Sequence, residues 1–150
     1  MLTTATIDRV VRAALDEDAP WGDITSQSLI PADAMAEATL EAREPGVFSG
    51  GAVFAAAFTL TDPSIIVQML VADGEAFEAG ATLATVSGPA RALLTAERIG
   101  LNFVQRMSGI ATMSRAYADA VADLPVKILD TRKTTPLIRH LEKWAVKIGG

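Results

Sequence analysis

Two groups of cationic side chains in the second half of the sequence could bind anions. The first is Arg132 and Lys133, which lie among three threonines in the segment Asp130-Thr131-Arg132-Lys133-Thr134-Thr135. An arginine presents a planar fork to a carboxylate or phosphate, whereas a lysine is a compact point charge. The threonine hydroxyls add further hydrogen-bonding groups. This combination predicts a site for a small anionic ligand.

The second group is a polar stripe on a long helical pattern. From Ala90 to Met107, six polar side chains fall on one stripe roughly 100° wide when the sequence is projected onto a helix. They are Arg91, Thr95, Arg98, Asn102, Gln105 and Arg106, and none is a carboxylate. Because an unpaired buried charge is costly, the arginines must face solvent, an acidic partner or an anionic ligand. The pattern alone leaves these three possibilities open.

The elements around Asp130 predict where the first group lies. Val126–Leu129 is short and mostly apolar, which predicts a strand, and an amphipathic helical pattern follows Pro136. A strand, a polar loop and an amphipathic helix form the βα unit of a parallel sheet or barrel. Sites in such folds lie at the carboxyl ends of the strands, where Asp130–Thr135 is expected.

The rest of the chain predicts a mixed α and β domain. Alternating apolar residues in Ala36–Arg43 predict a half-exposed strand, and the apolar, alanine-rich segment Ala52–Leu60 predicts a buried helix. The remaining predicted elements are a helix over residues 7–15, strands over 65–71 and 82–87, and, over 111–122, a second helix or a continuation of the first long one.

The segment from Val71 to Gly88 has the spacing of lipoyl- and biotinyl-type hammerhead sheets. Asp73-Gly74 predicts a tight turn, and a short strand follows. A cofactor-carrying hammerhead needs a lysine at a hairpin tip, and this segment contains none. We therefore interpret the segment as sheet scaffolding.

Composition limits the class of protein. The chain has 150 residues, of which 50% are hydrophobic, and a mean hydropathy of +0.31. These values exclude a disordered chain, and the length fits one domain or one domain with part of a second. There is no cysteine, and no segment is typical of a signal peptide or a membrane span. We predict a soluble, cytoplasmic protein that does not interact with membranes.

Charge is divided unequally along the chain. Residues 1–90 carry 3 basic and 13 acidic groups, whereas residues 91–150 carry 10 basic and 5 acidic groups. A basic half in a protein with an isoelectric point of about 4.8 predicts a local anionic partner and argues against nucleic acid. The only histidine, His140, is expected at the surface. A metal site built from several histidines is ruled out by this count. No nucleotide-binding loop or serine-nucleophile motif is present.

Six short motifs resemble, in their order and spacing, those of the quinolinate phosphoribosyltransferase family. Together they span essentially the whole chain, and linked motifs are far more specific than any one alone. They are Gly22-Asp23-Ile24-Thr25-Ser26, Ala42-Arg43-Glu44-Pro45-Gly46-Val47, Leu94-Thr95-Ala96-Glu97-Arg98, Leu101-Asn102, Ser108-Gly109-Ile110-Ala111-Thr112 and Asp130-Thr131-Arg132-Lys133-Thr134-Thr135-Pro136.

The resemblance implies an enzyme of NAD biosynthesis. The family transfers a phosphoribosyl group from phosphoribosyl pyrophosphate (PRPP) to quinolinate, with magnesium, and releases nicotinate mononucleotide, carbon dioxide and pyrophosphate. The implied fold is an α+β N-terminal sandwich domain, hammerhead-like, over residues 1–109, which includes the long helix. The first strand and helix of an α/β barrel would follow over residues 110–150.

The resemblance also implies a homodimer whose active site is shared between subunits. By matching motif, Arg98 reaches into the partner's site and holds a quinolinate carboxylate. Thr131 and Arg132 contact quinolinate, and Lys133 faces PRPP. The residues agree with this independently, because a dicarboxylate and a polyphosphate both require clustered cations. The protein ligands of magnesium are expected beyond residue 150.

Two positions depart from the family pattern. Leu137-Ile138 stands where the family usually has Gly-Leu, so the turn into the following helix is expected to be tighter or redirected. Trp144 stands where tyrosine is common, a change that packing is expected to tolerate.

Two alternative functions stay open at this point. A paralogue of the same superfamily would use a different substrate, and titration with quinolinate and nicotinate would distinguish it. A small anion-binding or dimerisation module would be non-catalytic, and replacement of Arg98 by alanine would then leave ligand binding intact.

Family chains run nearly twice this length, which leads to the first prediction. One barrel strand cannot close a barrel, and we expect its helix to expose Leu141, Trp144 and Ile148. We therefore hypothesise a fragment of a longer enzyme. Residues 1–150 alone are expected to lack transferase activity, and measurable formation of nicotinate mononucleotide by this polypeptide would contradict the prediction.

Overall fold

The computed structural model describes residues 2–150, which form five helices and five strands. In chain order they are α1 (Thr4–Asp18), α2 (Ile24–Leu29), β1 (Met35–Glu41), β2 (Gly46–Val47), α3 (Gly51–Thr61), β3 (Ile66–Met69), β4 (Ala76–Phe77), β5 (Thr82–Pro89), α4 (Ala90–Ala120) and α5 (Arg139–Gly149).

The sheet has β5 at its centre. The strand order is β1-β5-β3, and both pairs are antiparallel, with Met35 opposite Pro89 and Ile66 opposite Ser87. A register shift at Leu40/Glu41 bends β1 near its end. The short strands β2 and β4 form a separate antiparallel pair. This arrangement agrees with the predicted sandwich domain.

The elements with clear periodicity are confirmed. The structure contains the helix predicted over residues 7–15, the strands predicted over 36–43, 65–71 and 82–87, and the buried helix predicted over 52–60, with shifted ends. The sequence analysis missed α2, β2 and β4. These elements span six, two and two residues, which is too short for a repeating pattern to emerge.

One continuous helix, α4, connects the sheet to the rest of the chain. Ser108 and Gly109 do not interrupt it, so residues 111–122 continue the first long helix. The Ser108 hydroxyl lies 3.1 Å from the Ser49 amide and 3.2 Å from the Ser49 carbonyl oxygen, and the Thr112 hydroxyl accepts from the Val47 amide at 2.9 Å. The helix is therefore hydrogen-bonded to the segment around β2 at two positions that lie one helical turn apart.

The core lies between α3 and α4. Val53, Ala57 and Phe58 of α3 are buried together with Ala96 and Ile99 of α4. The two helices approach closely at Gly100, where an added Cβ would lie 3.1 Å from the Phe58 ring and 3.2 Å from the Phe54 ring. The nearly uniform apolarity of α3 reflects this burial.

The strand predicted at Val126–Leu129 does not form in the described residues. No backbone–backbone hydrogen bond involves residues 125–137, and Leu129 is 81% exposed. A strand is stable only when neighbouring strands satisfy its backbone donors and acceptors, and no described strand lies beside this one. The apolar pattern was read correctly, but the pairing that makes it a strand is absent from residues 2–150.

The expectation that the last helix exposes its apolar face was wrong. Leu141 and Ala145 are buried, Trp144 and Ile148 are partly buried, and α5 packs against α4. An added Cβ at Gly149 would lie 2.3 Å from the carbonyl oxygen of Ala111, so the helices touch backbone to backbone there. Apolar residues of α4 therefore cover the apolar face of α5.

Gly50 and Gly109 form a matched pair that tests the packing of α4. Gly50 has φ of 104°, and an added Cβ would lie 2.9 Å from the Met107 sulfur, whereas an added Cβ at Gly109 would meet nothing within 4 Å. We expect G50A to lower the free energy of unfolding by about 2 kcal/mol through backbone strain and crowding. G109A should raise it by about 0.5–1 kcal/mol because alanine favours helix.

Urea unfolding of the two variants measures these changes. Equal effects of G50A and G109A would contradict the different surroundings that the structure gives these two glycines, because the two substitutions add the same methyl group.

Candidate active site

The three arginines of the polar stripe bind three different parts of the chain. Arg91 donates to the carbonyl oxygens of Ile30 (2.8 Å) and Gln27 (2.9 Å), so it holds the carboxyl end of α2 against α4. Arg98 and Arg106 instead pair with carboxylates. For Arg98 and Arg106, an acidic partner within the same chain is therefore observed, while half of each side chain also faces solvent.

Arg98 is held by two aspartates. Its Nε and Nη2 donate to Asp18 Oδ2 at 3.0 and 2.8 Å, and Nη2 also lies 3.4 Å from Asp23 Oδ2. Hydrogen bonding to Asp18 raises the pKa of Arg98 above its ordinary value, so the guanidinium stays charged. Half of the side chain is exposed. Nη1, whose nearest acceptor is the Leu94 carbonyl oxygen at 3.5 Å, is the part of the guanidinium with capacity left for a ligand.

Asp23 has a second role as the N-cap of α2. Its carboxylate accepts from the Ser26 amide at 3.0 Å and the Ser26 hydroxyl at 2.8 Å. These hydrogen bonds are the main reason that the pKa of Asp23 lies below its ordinary value, and Arg98 lowers it further. The α2 N-terminus and Arg98 are thus fixed by the same ionised group.

An open cleft of about 550 Å³ lies beside Arg98. Asp18, Asp23 and Glu97 contribute carboxylates to its lining, and Leu29 and Leu94 contribute apolar surface. Three carboxylates face one guanidinium, so the cleft alone carries more negative than positive charge. An anionic ligand bound there would need cations from another surface.

The loop Asp130–Thr135 supplies cations on a separate surface. The Lys133 amide donates to the Thr131 hydroxyl at 3.2 Å, which shapes the turn. The side chains of Arg132 and Lys133 are exposed, and within residues 2–150 neither forms a hydrogen bond or an ion pair. Their charges are available to a ligand.

Side chains of α5 fix both ends of this loop. Lys143 Nζ lies 2.6 Å from Asp130 Oδ2, and Arg139 donates to the Thr134 hydroxyl (3.0 Å) and the Arg132 carbonyl oxygen (3.3 Å). The loop lacks backbone pairing, so these contacts decide where its cations lie.

Arg106 joins the loop to α4 through Glu142. Its guanidinium donates to Glu142 Oε1 (2.8 Å from Nε) and to the Thr135 hydroxyl (2.7 Å), while Glu142 Oε2 accepts from the Thr135 amide at 3.1 Å. Burial by itself would raise the pKa of Glu142, but hydrogen bonds from Thr135 and Arg106 outweigh it and lower that pKa overall. Glu142 is therefore an ionised, buried anchor.

Leu137 shows how the departure from Gly-Leu is accommodated. It has φ of 70°, the left-handed conformation that favours glycine, and its side chain is 91% exposed. A non-glycine residue in this conformation costs about 1–2 kcal/mol. The turn into α5 therefore keeps a glycine-like backbone and carries the strain.

A single chain does not bring all four predicted site residues together. Thr131, Arg132 and Lys133 lie on one loop, which contacts α4 near Arg106. Arg98 lies eight residues earlier on α4, about 12 Å along the helix axis, and its ion pairs are with Asp18 and Asp23. The predicted site residues therefore lie on two separate surfaces, one around Arg98, where carboxylates outnumber the guanidinium, and one on the loop, where two cations are unpaired among the described residues.

Sequence reasoning missed the three carboxylates that orient these cations. Asp23 had a readable signal, since aspartate is among the residues preferred at the N-cap of a helix. Asp18 is 80 residues from Arg98, and Glu142 is 36 residues from Arg106. Pairing at such separations leaves no local pattern. The surface position expected for His140 is observed, since the residue is exposed.

The described residues contain neither a cluster of metal-binding side chains nor a helix suited to span a membrane. In the part of the chain from residue 2 to 150, no group of three or more His, Cys, Asp or Glu side chains could hold a metal ion. Among the same residues, none of the helices combines the length and the apolarity needed to cross a membrane.

Comparison with known proteins agrees with this architecture. The N-terminal domain of quinolinate phosphoribosyl transferase matches residues 23–108, and the C-terminal domain of the same family matches residues 110–150. The crystal structure of NadC from Streptococcus pyogenes superimposes with a TM-score of 0.95 at 41% identity and covers all of this chain and 53% of that one. A nicotinate-nucleotide pyrophosphorylase structure from Francisella tularensis gives a TM-score of 0.93 at 34% identity, over 100% of this chain and 54% of that one.

Curated relatives point the same way. The chloroplastic nicotinate-nucleotide pyrophosphorylase (carboxylating) of rice is 46% identical over 148 residues, which are 98% of this chain and 39% of the relative. The probable enzyme of the same name from Bacillus subtilis is 44% identical over 134 residues, which are 89% of this chain and 46% of the relative. The chain thus spans less than half of the length of these relatives. With both domain models matched in order, the chain belongs to the quinolinate phosphoribosyltransferase family.

Proposed function

We propose that this chain belongs to an enzyme that transfers the phosphoribosyl group of PRPP to quinolinate with decarboxylation, in NAD biosynthesis. The observation that carries the proposal is the loop Thr131–Lys133. In a member of this family, the loop presents an exposed arginine and an exposed lysine without ion-pair partners among the described residues, and α5 holds it at both ends. Pre-oriented cations of this kind suit two anionic substrates.

The family resemblance assigns the two cations of the loop to different substrates, and the chemistry of each side chain is compatible with its assignment. Arg132, with a planar fork, suits a carboxylate of quinolinate, and the Thr131 hydroxyl can hydrogen-bond beside it. Lys133, a point charge, suits the phosphates of PRPP. Three threonines around them add neutral hydrogen-bonding groups that restrict the orientation of either ligand.

Arg98 completes the site, in our proposal, from the other subunit of a homodimer. Two features support this arrangement. Arg98 and the loop form separate surfaces on one chain, since Arg106, which contacts the loop at Thr135, lies about 12 Å along α4 from Arg98. The cleft beside Arg98 also has an excess of carboxylates, so it cannot hold a dicarboxylate without cations from elsewhere. If the loop of one subunit lies beside Arg98 of its partner, the separated site residues come together. The loop then also supplies the cations that the cleft beside Arg98 lacks.

The proposed reaction needs charge stabilisation more than a protein nucleophile. The pyridine nitrogen of quinolinate forms a bond to C1 of the ribose as the bond from C1 to the pyrophosphate oxygen breaks. The 2-carboxylate then leaves as carbon dioxide, and the electron pair that remains on C2 of the pyridine ring takes up a proton from water. Positive charge develops at C1, and negative charge grows on the departing pyrophosphate. Lys133 would stabilise the pyrophosphate, while Arg132 and Arg98 hold quinolinate in line.

We propose that magnesium accompanies PRPP, whose phosphate charge it would neutralise. The carboxylates nearest the site are Asp18 and Asp23, which pair with Arg98, and Asp130, which pairs with Lys143. Residues 2–150 contain no three-ligand cluster for a metal ion, so they do not fit a protein-held magnesium site. For location we propose the cytoplasm, in keeping with the lack of cysteine in the chain.

A shared active site predicts complementation between two inactive variants. In the complete polypeptide encoded by the gene, R98A should weaken quinolinate binding by about 2 kcal/mol, or about 30-fold, and R132A should weaken it by about 3 kcal/mol, because no carboxylate competes for Arg132. A heterodimer of the two has one site with both changes and one intact site. Because half of randomly mixed dimers are heterodimers, about one quarter of wild-type activity should return on mixing.

Calorimetric titration measures the binding, and the rate of nicotinate mononucleotide formation measures the complementation. R12A, an exposed arginine of α1, is the control and should change neither. Absence of any recovery from the mixed variants would rule out the shared site. Binding of nicotinate in preference to quinolinate by the wild type would instead favour a paralogue with a different substrate.

Substitutions of Lys133 and of Arg132 should raise the KM values of different substrates. K133A is expected to raise KM for PRPP by about tenfold, because a single charge–phosphate contact is lost, and to change KM for quinolinate little. R132A should instead raise KM for quinolinate and change KM for PRPP little. Steady-state kinetics with each substrate varied in turn measures this, with K127A as an exposed control on the same segment. If K133A weakened both substrates equally, Lys133 would not be the phosphate contact.

A further inference from the structure

We propose that Asp73 is a positioning residue for the active-site loop, because it fastens α5 to the sandwich domain through Trp144. The proposal rests on the proposed function, since the loop that α5 holds is Thr131–Lys133. Asp73 lies in the turn between β3 and β4, which the sequence analysis interpreted only as scaffolding. Its two carboxylate oxygens contact two different parts of the fold.

One oxygen caps α3. Asp73 Oδ1 accepts from the Gly50 and Gly51 amides, each at 3.0 Å. Gly50 is the N-cap residue of α3, and it has no side chain that could accept these hydrogen bonds itself. Asp73 therefore satisfies the first amides of the helix from a distant turn, which fixes this carboxylate relative to the sandwich domain.

The other oxygen reaches α5. The indole Nε1 of Trp144 donates to Asp73 Oδ2 at 2.9 Å. An added Cβ at the adjacent Gly74 would lie 3.8 Å from Ile148, so the turn and α5 are in ordinary contact there. The Lys147 ammonium lies 5.7 Å from the centroid of the Trp144 ring, over its face. The indole is thus held both along its edge and on its face.

The side chains that hold the loop lie on another part of the same helix. Arg139, Glu142 and Lys143 are roughly 100–160° around the helix from Trp144, and each contacts the segment Asp130–Thr135. A rotation of α5 about its axis would therefore move all three loop contacts at once. The hydrogen bond between Trp144 and Asp73 opposes that rotation, which makes Asp73 a determinant of where Arg132 and Lys133 point.

Only a carboxylate can serve all three donors. An asparagine at position 73 could keep its oxygen toward the Gly50 and Gly51 amides, but its NH2 group would then face the Trp144 N–H. D73N therefore removes the link to α5 while the cap of α3 is retained. W144F removes the same hydrogen bond from the other side, and W144Y restores a donor on an aromatic ring.

Two spin labels read the position of the loop without any substrate. The 150-residue chain has no cysteine, so T59C on the exposed side of α3 and L137C at the end of the loop give unique labelling sites. We expect a narrow distance distribution in the otherwise unchanged chain and in W144Y. D73N and W144F should broaden it to a similar extent, and the double variant should add nothing further.

The second measurement is catalytic, in the complete polypeptide. D73N and W144F should lower kcat/KM by about tenfold through misplacement of the loop, and W144Y should recover most of the loss. Circular dichroism establishes that each variant is folded. Unchanged distance distributions in both D73N and W144F, or additive effects of the two substitutions, would overturn the role of Asp73. A wild-type protein without phosphoribosyl transfer would overturn the proposed function, and the distances would still decide the role of Asp73.

Discussion

The structure depends on which groups pair with the three arginines on the polar stripe of α4. One face of this helix is buried in the core, and each arginine of its polar stripe lies at the edge of that core, where it binds groups of other elements. Arg91 takes the carbonyl oxygens at the end of α2, Arg98 takes Asp18 and Asp23, and Arg106 takes Glu142. Through these partners a single helix determines where α1, α2 and α5 begin or end, and therefore which surfaces are left to bind a ligand.

Local order in this chain could be predicted from the sequence, and the long-range pairing could not. The apolar periodicity of α1, α4 and α5 and the alanine-rich composition of α3 are properties of neighbouring residues and identify each helix. The partner of Arg106 is 36 residues away, and it belongs to a helix whose packing direction the pattern does not contain. The same limit explains both errors. The periodicity of α5 showed an apolar face but not that α4 would cover it, and Val126–Leu129 showed strand-like residues but not whether another strand pairs with them.

The candidate site was predictable to a different depth at each residue. Arg132 and Lys133 follow an apolar segment and precede a helix, so their place on a loop could be predicted from order alone. Arg98 was placed on the right stripe, but its orientation depends on Asp18 and Asp23, which lie on elements far away in sequence. Roles toward quinolinate and PRPP came only from resemblance, since an arginine fork accepts a carboxylate and a phosphate equally well.

Arg98 and the two cations of the loop are held in different ways, and this difference bears on their proposed roles in substrate binding. Arg98 is fixed by ion pairs that leave little of its hydrogen-bonding capacity free, so a ligand carboxylate must share the guanidinium with Asp18 or displace it. Arg132 and Lys133 are fixed only through the backbone and neighbours of their loop, so their charges face no competitor among the described residues. The loop can therefore supply most of the attraction for an anion. Arg98, already neutralised, can add direction and selectivity at a smaller gain in affinity, because exchanging one carboxylate for another changes the net charge around it little.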